Sequence, residues 1–106
     1  AVEDGLYIIE KGLVFHPNSW QLWFFKGYYL WKTYADKLNA AKAFHTASLC
    51  EGSPIYLANL AATFASESGQ RELSRQFIRQ TLVVVKDPQQ KDVLLKKLKE
   101  LSQNDG

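Results

Sequence analysis

The sequence predicts an all-α protein built from stacked helical hairpins, and three observations carry that reading. A skeleton of apolar and small residues recurs with every offset kept: Trp23, Lys26, Gly27, Leu30, Ala40, Phe44 and Ala47 are answered 34 residues later by Leu57, Leu60, Ala61, Phe64, Ser74, Ile78 and Thr81. A fixed period in this range marks helical hairpins that bury their apolar faces only when a neighbour covers them. Prolines, glycines and capping residues fall at helix-length intervals between the apolar stretches. The chain is 46% hydrophobic over 106 residues, enough for one core, which a stack of helices draws out into a strip.

Each element follows from its punctuation. A first helix over 2–15 is stopped by Pro17, because the residue before proline avoids the helical region. Glu3 and Asp4 place negative charge in its first turn. Asn18 or Ser19 caps a second helix running to Thr33, Asn18 with Gln21 having the form of a capping box. Tyr34 to Asp36 forms a turn, and Asp36 caps a third helix from Lys37 to Cys50, which Gly52 ends in the left-handed conformation. Ser53-Pro54 reads as a cap with proline at the first helical position, opening a fourth helix to Glu67. Gly69 turns the chain into a fifth helix, Arg71 to Val85. Asp87-Pro88 repeats the cap-and-proline start for a sixth, ending near Ser102, with residues 103–106 disordered.

These residue types and spacings resemble the tetratricopeptide repeat. Its signature is an aromatic, a leucine, a small residue and an aromatic on one helix, then alanine, an aromatic and alanine on the next, closed by proline. Residues 18–53 and 54–87 are similar to two such units, the first with one extra residue in its inter-helix turn. Residues 1–17 look like the second helix of a truncated unit, since Gly5, Ile9 and Gly12 keep the offsets of Ala40, Phe44 and Ala47. Lys26 stands where leucine is usual, Leu30 where tyrosine is usual, and Ser74 and Thr81 where alanines are usual. The run from Pro17 to Leu101 looks more specifically like the C-terminal part of bacterial tetratricopeptide proteins of unassigned function. The resemblance implies a right-handed α-solenoid of antiparallel hairpins, about six helices in all. It also implies that the first helix of each unit lines a concave groove that holds partner peptides. Because the chain opens within a repeat and contains no methionine, we expect earlier repeats or a tether upstream, in a cytoplasmic or bacterial periplasmic protein.

Helix six differs from the others. Val93, Leu94, Leu98 and Leu101 form one apolar stripe, and lysines with Glu100 fill the rest, as expected of a solvating cap at the end of a stack over 88–102.

Helix two carries the candidate site. Eight of the fifteen residues from Trp20 to Tyr34 are aromatic, against fourteen aromatics in the whole chain. Trp20, Trp23, Gly27, Leu30 or Trp31, and Tyr34 are expected to pack on flanking helices, with Gly27 allowing close backbone approach. A second face, Gln21, Phe24, Tyr28 and Lys32 with Trp31 at its edge, follows helical spacing. The corresponding residues of helix four are Ala58, Ala62 and Ser66, with Asn59 beside them. Large rings on one helix thus face small side chains on the next. Either the rings lean over and fill the space above the alanines, or they wall an apolar groove whose floor is alanine and where a partner's side chain is anchored. Tetratricopeptide domains that clamp a partner's C-terminal carboxylate need lysine and asparagine where this chain has Phe24 and Tyr28, leaving only Asn59, so an apolar or mixed peptide segment is the expected partner. The alternative is a self-association face that builds a homo-oligomer or packs on the protein's own upstream repeats.

Other functions find no support in the residues. Arg71, Arg75 and Arg79 stand four apart on helix five, and residues 71–106 carry eight basic and five acidic residues against five and six in residues 1–70. With Glu72 nearby this reads as a solvated face, and a net charge of +2 is far below the field of nucleic-acid-binding domains. His16 and His45 have no second ligand at metal spacing. No nucleophile elbow, phosphate loop or dinucleotide fingerprint occurs. We therefore expect no catalytic residue, metal or cofactor and no membrane contact. Cys50, the lone cysteine, is expected to be a small buried residue.

Overall fold

The computed structural model describes residues 5–103, and among these every regular element is helical: α1 Gly5–Phe15, α2 Trp20–Tyr34, α3 Lys37–Leu49, α4 Tyr56–Glu67, α5 Arg71–Val84 and α6 Pro88–Gln103. The expected start of the first helix and residues 104–106 lie outside the described residues. Gln103 belongs to α6 rather than to the expected tail.

Local chemistry explains most boundaries. Ser19, not Asn18, caps α2, its Oγ accepting from the Leu22 amide at 3.3 Å. Asp36 caps α3 through the Asn39 amide at 3.0 Å, and a second bond from Asn39 Nδ2 helps hold the Asp36 carboxyl below its ordinary value. Asp87 accepts from the Gln89 amide ahead of α6. α2 and α4 both close on a left-handed residue, Ala35 at φ 53° and Gly69 at φ 80°, so the 34-residue period recurs in the backbone. In both turns a carbonyl near the helix end is capped from beyond the turn, Leu30 by the Asp36 amide and Ala65 by that of Gln70.

Ser53-Pro54 does not cap α4. The Ser53 hydroxyl donates instead to the Ser48 carbonyl, and a tight turn precedes the helix, with Leu57 and Ala58 amides bonding to the Pro54 and Ile55 carbonyls three residues back.

Each helix packs on the next in sequence, and in addition α3 touches α5 and α4 touches α6. The result is a slab of 49 × 30 × 15 Å with a radius of gyration of 14.1 Å, against about 13 Å for a compact domain of this length. Two core clusters divide it. The first gathers Ala40, Ala41, Phe44, Ala47, Leu57, Ala61, Phe64, Ala65 and Phe77 at the junction of α3, α4 and α5, with α2 leaning on it through Trp20, Trp23, Phe24, Leu30 and Trp31. The second joins Ala58 and Ala62 of α4 to Ile78 of α5 and Leu94 and Leu101 of α6.

The polar replacements in the repeat are fully bonded. Ser74 donates to the Ala62 carbonyl at 2.6 Å, joining α5 to α4. Thr81 donates to the Phe77 carbonyl and meets Ser48 across the α3–α5 contact. Each hydroxyl fills a small-residue position without leaving a buried donor unpaired.

Two expectations need correction. Tyr34 is half exposed rather than packed into a helix interface, and its ring lies against Tyr29 at 6.0 Å. Val93 faces outward, leaving Leu94, Leu98 and Leu101 to attach α6.

Candidate functional site

The aromatic density of α2 is anchored through a glycine. A Cβ at Gly27 would lie 2.6 Å from Phe44 Cε1, so the buried Phe44 ring rests directly on the α2 backbone. From that anchor a closed circuit of rings runs outward. Phe24 lies 5.8 Å from Phe44, Tyr28 is 6.3 Å from Phe24, Trp31 is edge-on to Tyr28 at 6.1 Å, Phe64 is edge-on to Trp31 at 5.0 Å, and Phe44 meets Phe64 at 5.5 Å. Tilted and edge-on pairs at these distances are the favoured arrangements of aromatic quadrupoles.

The outer rim of this circuit faces water. Tyr28 is 46% and Phe25 52% exposed, with the Phe25 ring 5.8 Å from Phe24. The Lys32 ammonium sits 4.1 Å from the Trp31 ring centroid, and Lys37, paired with Glu67 at 2.7 Å, lies 5.5 Å from Phe64. The rim is therefore aromatic with cationic edges.

The structure brings Phe24, Tyr28, Trp31 and Lys32 together. Gln21 is exposed at the start of α2, where it accepts from Ser19 Oγ. On α4 the geometry is different. Ala58 and Ala62 are 2% and 0% exposed, because Ile78, Leu94 and Leu101 cover them. They offer no accessible floor: side chains from α5 and α6 take the space above them. Ser66 and Asn59 are half-buried, and Asn59 Oδ1 is enclosed without a hydrogen-bond partner. Phe25, absent from the sequence-derived site, contributes the most exposed ring of the rim. Its place next to Phe24, off the groove-lining stripe, concealed it.

Charge and titration elsewhere are structural. Arg75 and Arg79 both reach Glu72, at 2.8 and 3.4 Å, and the hydrogen bond from Arg75 is the main cause holding the Glu72 carboxyl below its ordinary value. Cys50 is half-buried at the end of α3. Burial pushes its thiol up, which keeps it protonated and donating to the Thr46 carbonyl. Among the described residues no three His, Cys, Asp or Glu side chains are grouped to hold a metal ion, and no helix is long and apolar enough to cross a membrane.

His45 is buried between α3 and α5, stacked on Phe77 at 4.1 Å, with Nε2 2.6 Å from Gln80 Oε1 and Nδ1 enclosed without a partner. Nε2 thus donates to Gln80 and Nδ1 carries the lone pair. Charging the ring would put a proton on an enclosed nitrogen with no acceptor. Desolvation lowers the pKa below its ordinary value of about 6.5, against the smaller opposing effect of the Gln80 bond. Between the folded value and about 6.5 the unfolded chain binds more protons, so stability rises with pH and is lost on acidification through that window. The melting temperature is expected to fall from pH 7.5 to pH 5 more steeply in the parent than in His45→Gln. Equal slopes would refute the assignment.

Comparison with protein-family models, with curated proteins and with solved structures finds no match. The class defined by the fold and rim is an all-helical, repeat-like protein.

Proposed function

We propose that this chain is a non-catalytic protein-interaction module, a stretch of right-handed tetratricopeptide-like solenoid made of antiparallel hairpins, and that its partner docks on the aromatic rim of α2. One observation carries the reading: Tyr28 and Phe25 stand half in water while the rings behind them, Phe24 and Trp31, are fixed against Phe44 and Phe64. Rings held in place before binding lose little conformational freedom on contact, which is where binding energy concentrates. Phe24, Phe25, Tyr28, Trp31 and Lys32 form the docking surface, with Gln21, Asn59 and Ser66 at its margin. Ala58 and Ala62, buried with Ile78, Leu94 and Leu101, take no part in it. The fitting partner is an apolar or mixed segment with an acidic residue to meet Lys32.

The test is photo-crosslinking from position 28 in the native cell, followed by titration of the captured partner. Tyr28→Ala is expected to weaken binding by roughly 30-fold while shifting the melting temperature by less than about 3 °C, since the ring is half exposed. Unchanged affinity would refute the docking surface.

A second reading, self-association, is favoured by α1, whose Tyr7, Ile8, Val14 and Phe15 are all more than half exposed and lie within one sector of the helix. Sedimentation velocity over a wide concentration range separates the two. Concentration-dependent dimers abolished by Ile8→Ser and Phe15→Ser, with Tyr28→Ala unaffected, would assign assembly to α1.

A further inference from the structure

The repeat makes one local difference conspicuous. Positions 10, 45 and 79 are equivalent in the three helices α1, α3 and α5, as are 8, 43 and 77. Between α3 and α5 this register places Phe77 against His45, ring on ring at 4.1 Å, and fills the space between the helices. Between α1 and α3 the same register places Ala43 opposite Glu10. A methyl group stands where the neighbouring contact has a benzyl group, and a cavity of about 340 Å³ opens there.

Its lining is amphiphilic. Leu6 of α1, Trp23 and Leu30 of α2 and Ala43 of α3 supply apolar walls, and Lys26, Lys42, Asn39, Thr46 and Glu10 form the polar boundary. The three large apolar side chains are only half-buried, so water now covers surface that a ring or branched chain would dry. Most polar groups are already engaged. Glu10 is paired with Lys26 at 3.2 Å, and that ammonium lies over Trp23 at 5.2 Å. Asn39 Nδ2 donates to Asp36, the Trp23 indole to the Pro17 carbonyl, and Thr46 Oγ1 to the Lys42 carbonyl. Among the described residues the Lys42 ammonium makes no hydrogen bond or close ion pair and is influenced only at longer range by the Asp36 carboxylate, whose pKa it helps to lower, so it is the lysine of the boundary free to take a closer anion.

We propose that this cavity is a binding pocket for a small amphiphilic anion, an aryl-alkyl or branched-chain carboxylate. Its apolar end takes the place that Phe77 holds in the next interval, and its carboxylate meets Lys42. The volume and the apolar lining with few polar groups are those of small-ligand pockets. The exposed residues at the boundary, Glu10, Asn39 and Lys42, are polar, which favours a free small molecule over a peptide needing apolar contact on either side. The site lies on the Trp23–Lys26–Leu30 face of α2, roughly a third of a turn from the aromatic rim, and does not depend on that rim's function.

Titration of the ¹⁵N-labelled protein with 3-phenylpropionate and with its neutral amide tests the pocket. The expected result is saturable shift changes confined to Leu6, Trp23, Leu30, Ala43 and Thr46, with a Kd on the order of 1 mM for the carboxylate and binding at least about threefold weaker for the amide. Ala43→Phe, which restores the residue type found at Phe77, should abolish binding. Lys42→Gln, a surface change that leaves the fold intact, should weaken the carboxylate to the level of the amide and leave the amide unchanged. Shifts that are linear, scattered, or equal for acid and amide would overturn the proposal, as would a folded Ala43→Phe that binds like the parent. A Phe-Asp-containing peptide bound more than tenfold tighter at the same residues would replace the small molecule by a peptide and overturn it too.

Discussion

Phe44→Ala is expected to lower the stability of the fold by about 3–5 kcal/mol, a large part of the roughly 5–15 kcal/mol that holds a domain together. The ring is 1% exposed and sits where α2, α3 and α4 converge, 5.8 Å from Phe24 and 5.5 Å from Phe64. Its removal opens a void that the neighbours cannot close, because the wall facing it is the backbone at Gly27, which has no side chain to move in. Phe24 and Trp31 would lose the surface they lean on, so the aromatic rim should loosen together with the core. Urea unfolding measures the first effect, and near-ultraviolet circular dichroism of the α2 tryptophans and tyrosines the second. A loss below about 1.5 kcal/mol, with the aromatic signal intact, would show that Phe44 is not the anchor described.

The identity and order of the helices were legible because the signals are local. Asp36, Gly69 and Asp87-Pro88 each act within a few residues of themselves, and nothing distant overrides them. Where a local signal had a competitor, reading failed. Ser53-Pro54 has the composition of a cap, yet its hydroxyl was taken by the Ser48 carbonyl on the preceding helix. Ala35 adopts a conformation that glycine would take more cheaply, because the turn captures the Trp31 and Leu30 carbonyls.

The site was half legible for a related reason. Helical spacing correctly aligned Phe24, Tyr28 and Trp31, since a period fixes which residues share a face. It wrongly paired these rings with the small residues Ala58 and Ala62 of α4. It could not say which large residues would meet Ala58 and Ala62, because that depends on where a third helix lands. Leu94 and Leu101 arrived from α6, and the rings of α2 turned to Phe44 and Phe64 instead. The cavity beside Ala43 shows the converse: a repeat exposes its own vacancies once equivalent positions are compared, but only the structure shows that none of the described residues fills this one.

Leu94→Ala is expected to cost about 2–5 kcal/mol, and its effect should be confined to one end of the molecule. α6 has only two buried side chains, Leu94 and Leu101, and both pack with Ala58, Ala62 and Ile78. Leu98 adds a partly buried apolar contact, and polar ties come from Arg75, which donates to the Leu101 carbonyl at 3.4 Å, and Lys97, which donates to Thr63 at 3.1 Å. Long side chains partly in water hold a helix weakly once its apolar contact is gone. The second cluster is separate from the ring-bearing first cluster, so opening of α6 need not disturb Phe44 or Phe64. Hydrogen exchange should therefore show amides of α6 losing protection by at least about 30-fold, corresponding to about 2 kcal/mol, while those of α3 and the first half of α4 keep most of theirs. Exposure of Ala58, Ala62 and Ile78 in the open form should raise binding of a hydrophobic dye. Equal loss of protection in all six helices would mean that α6 belongs to the single cooperative unit of the fold rather than forming a closing layer upon it.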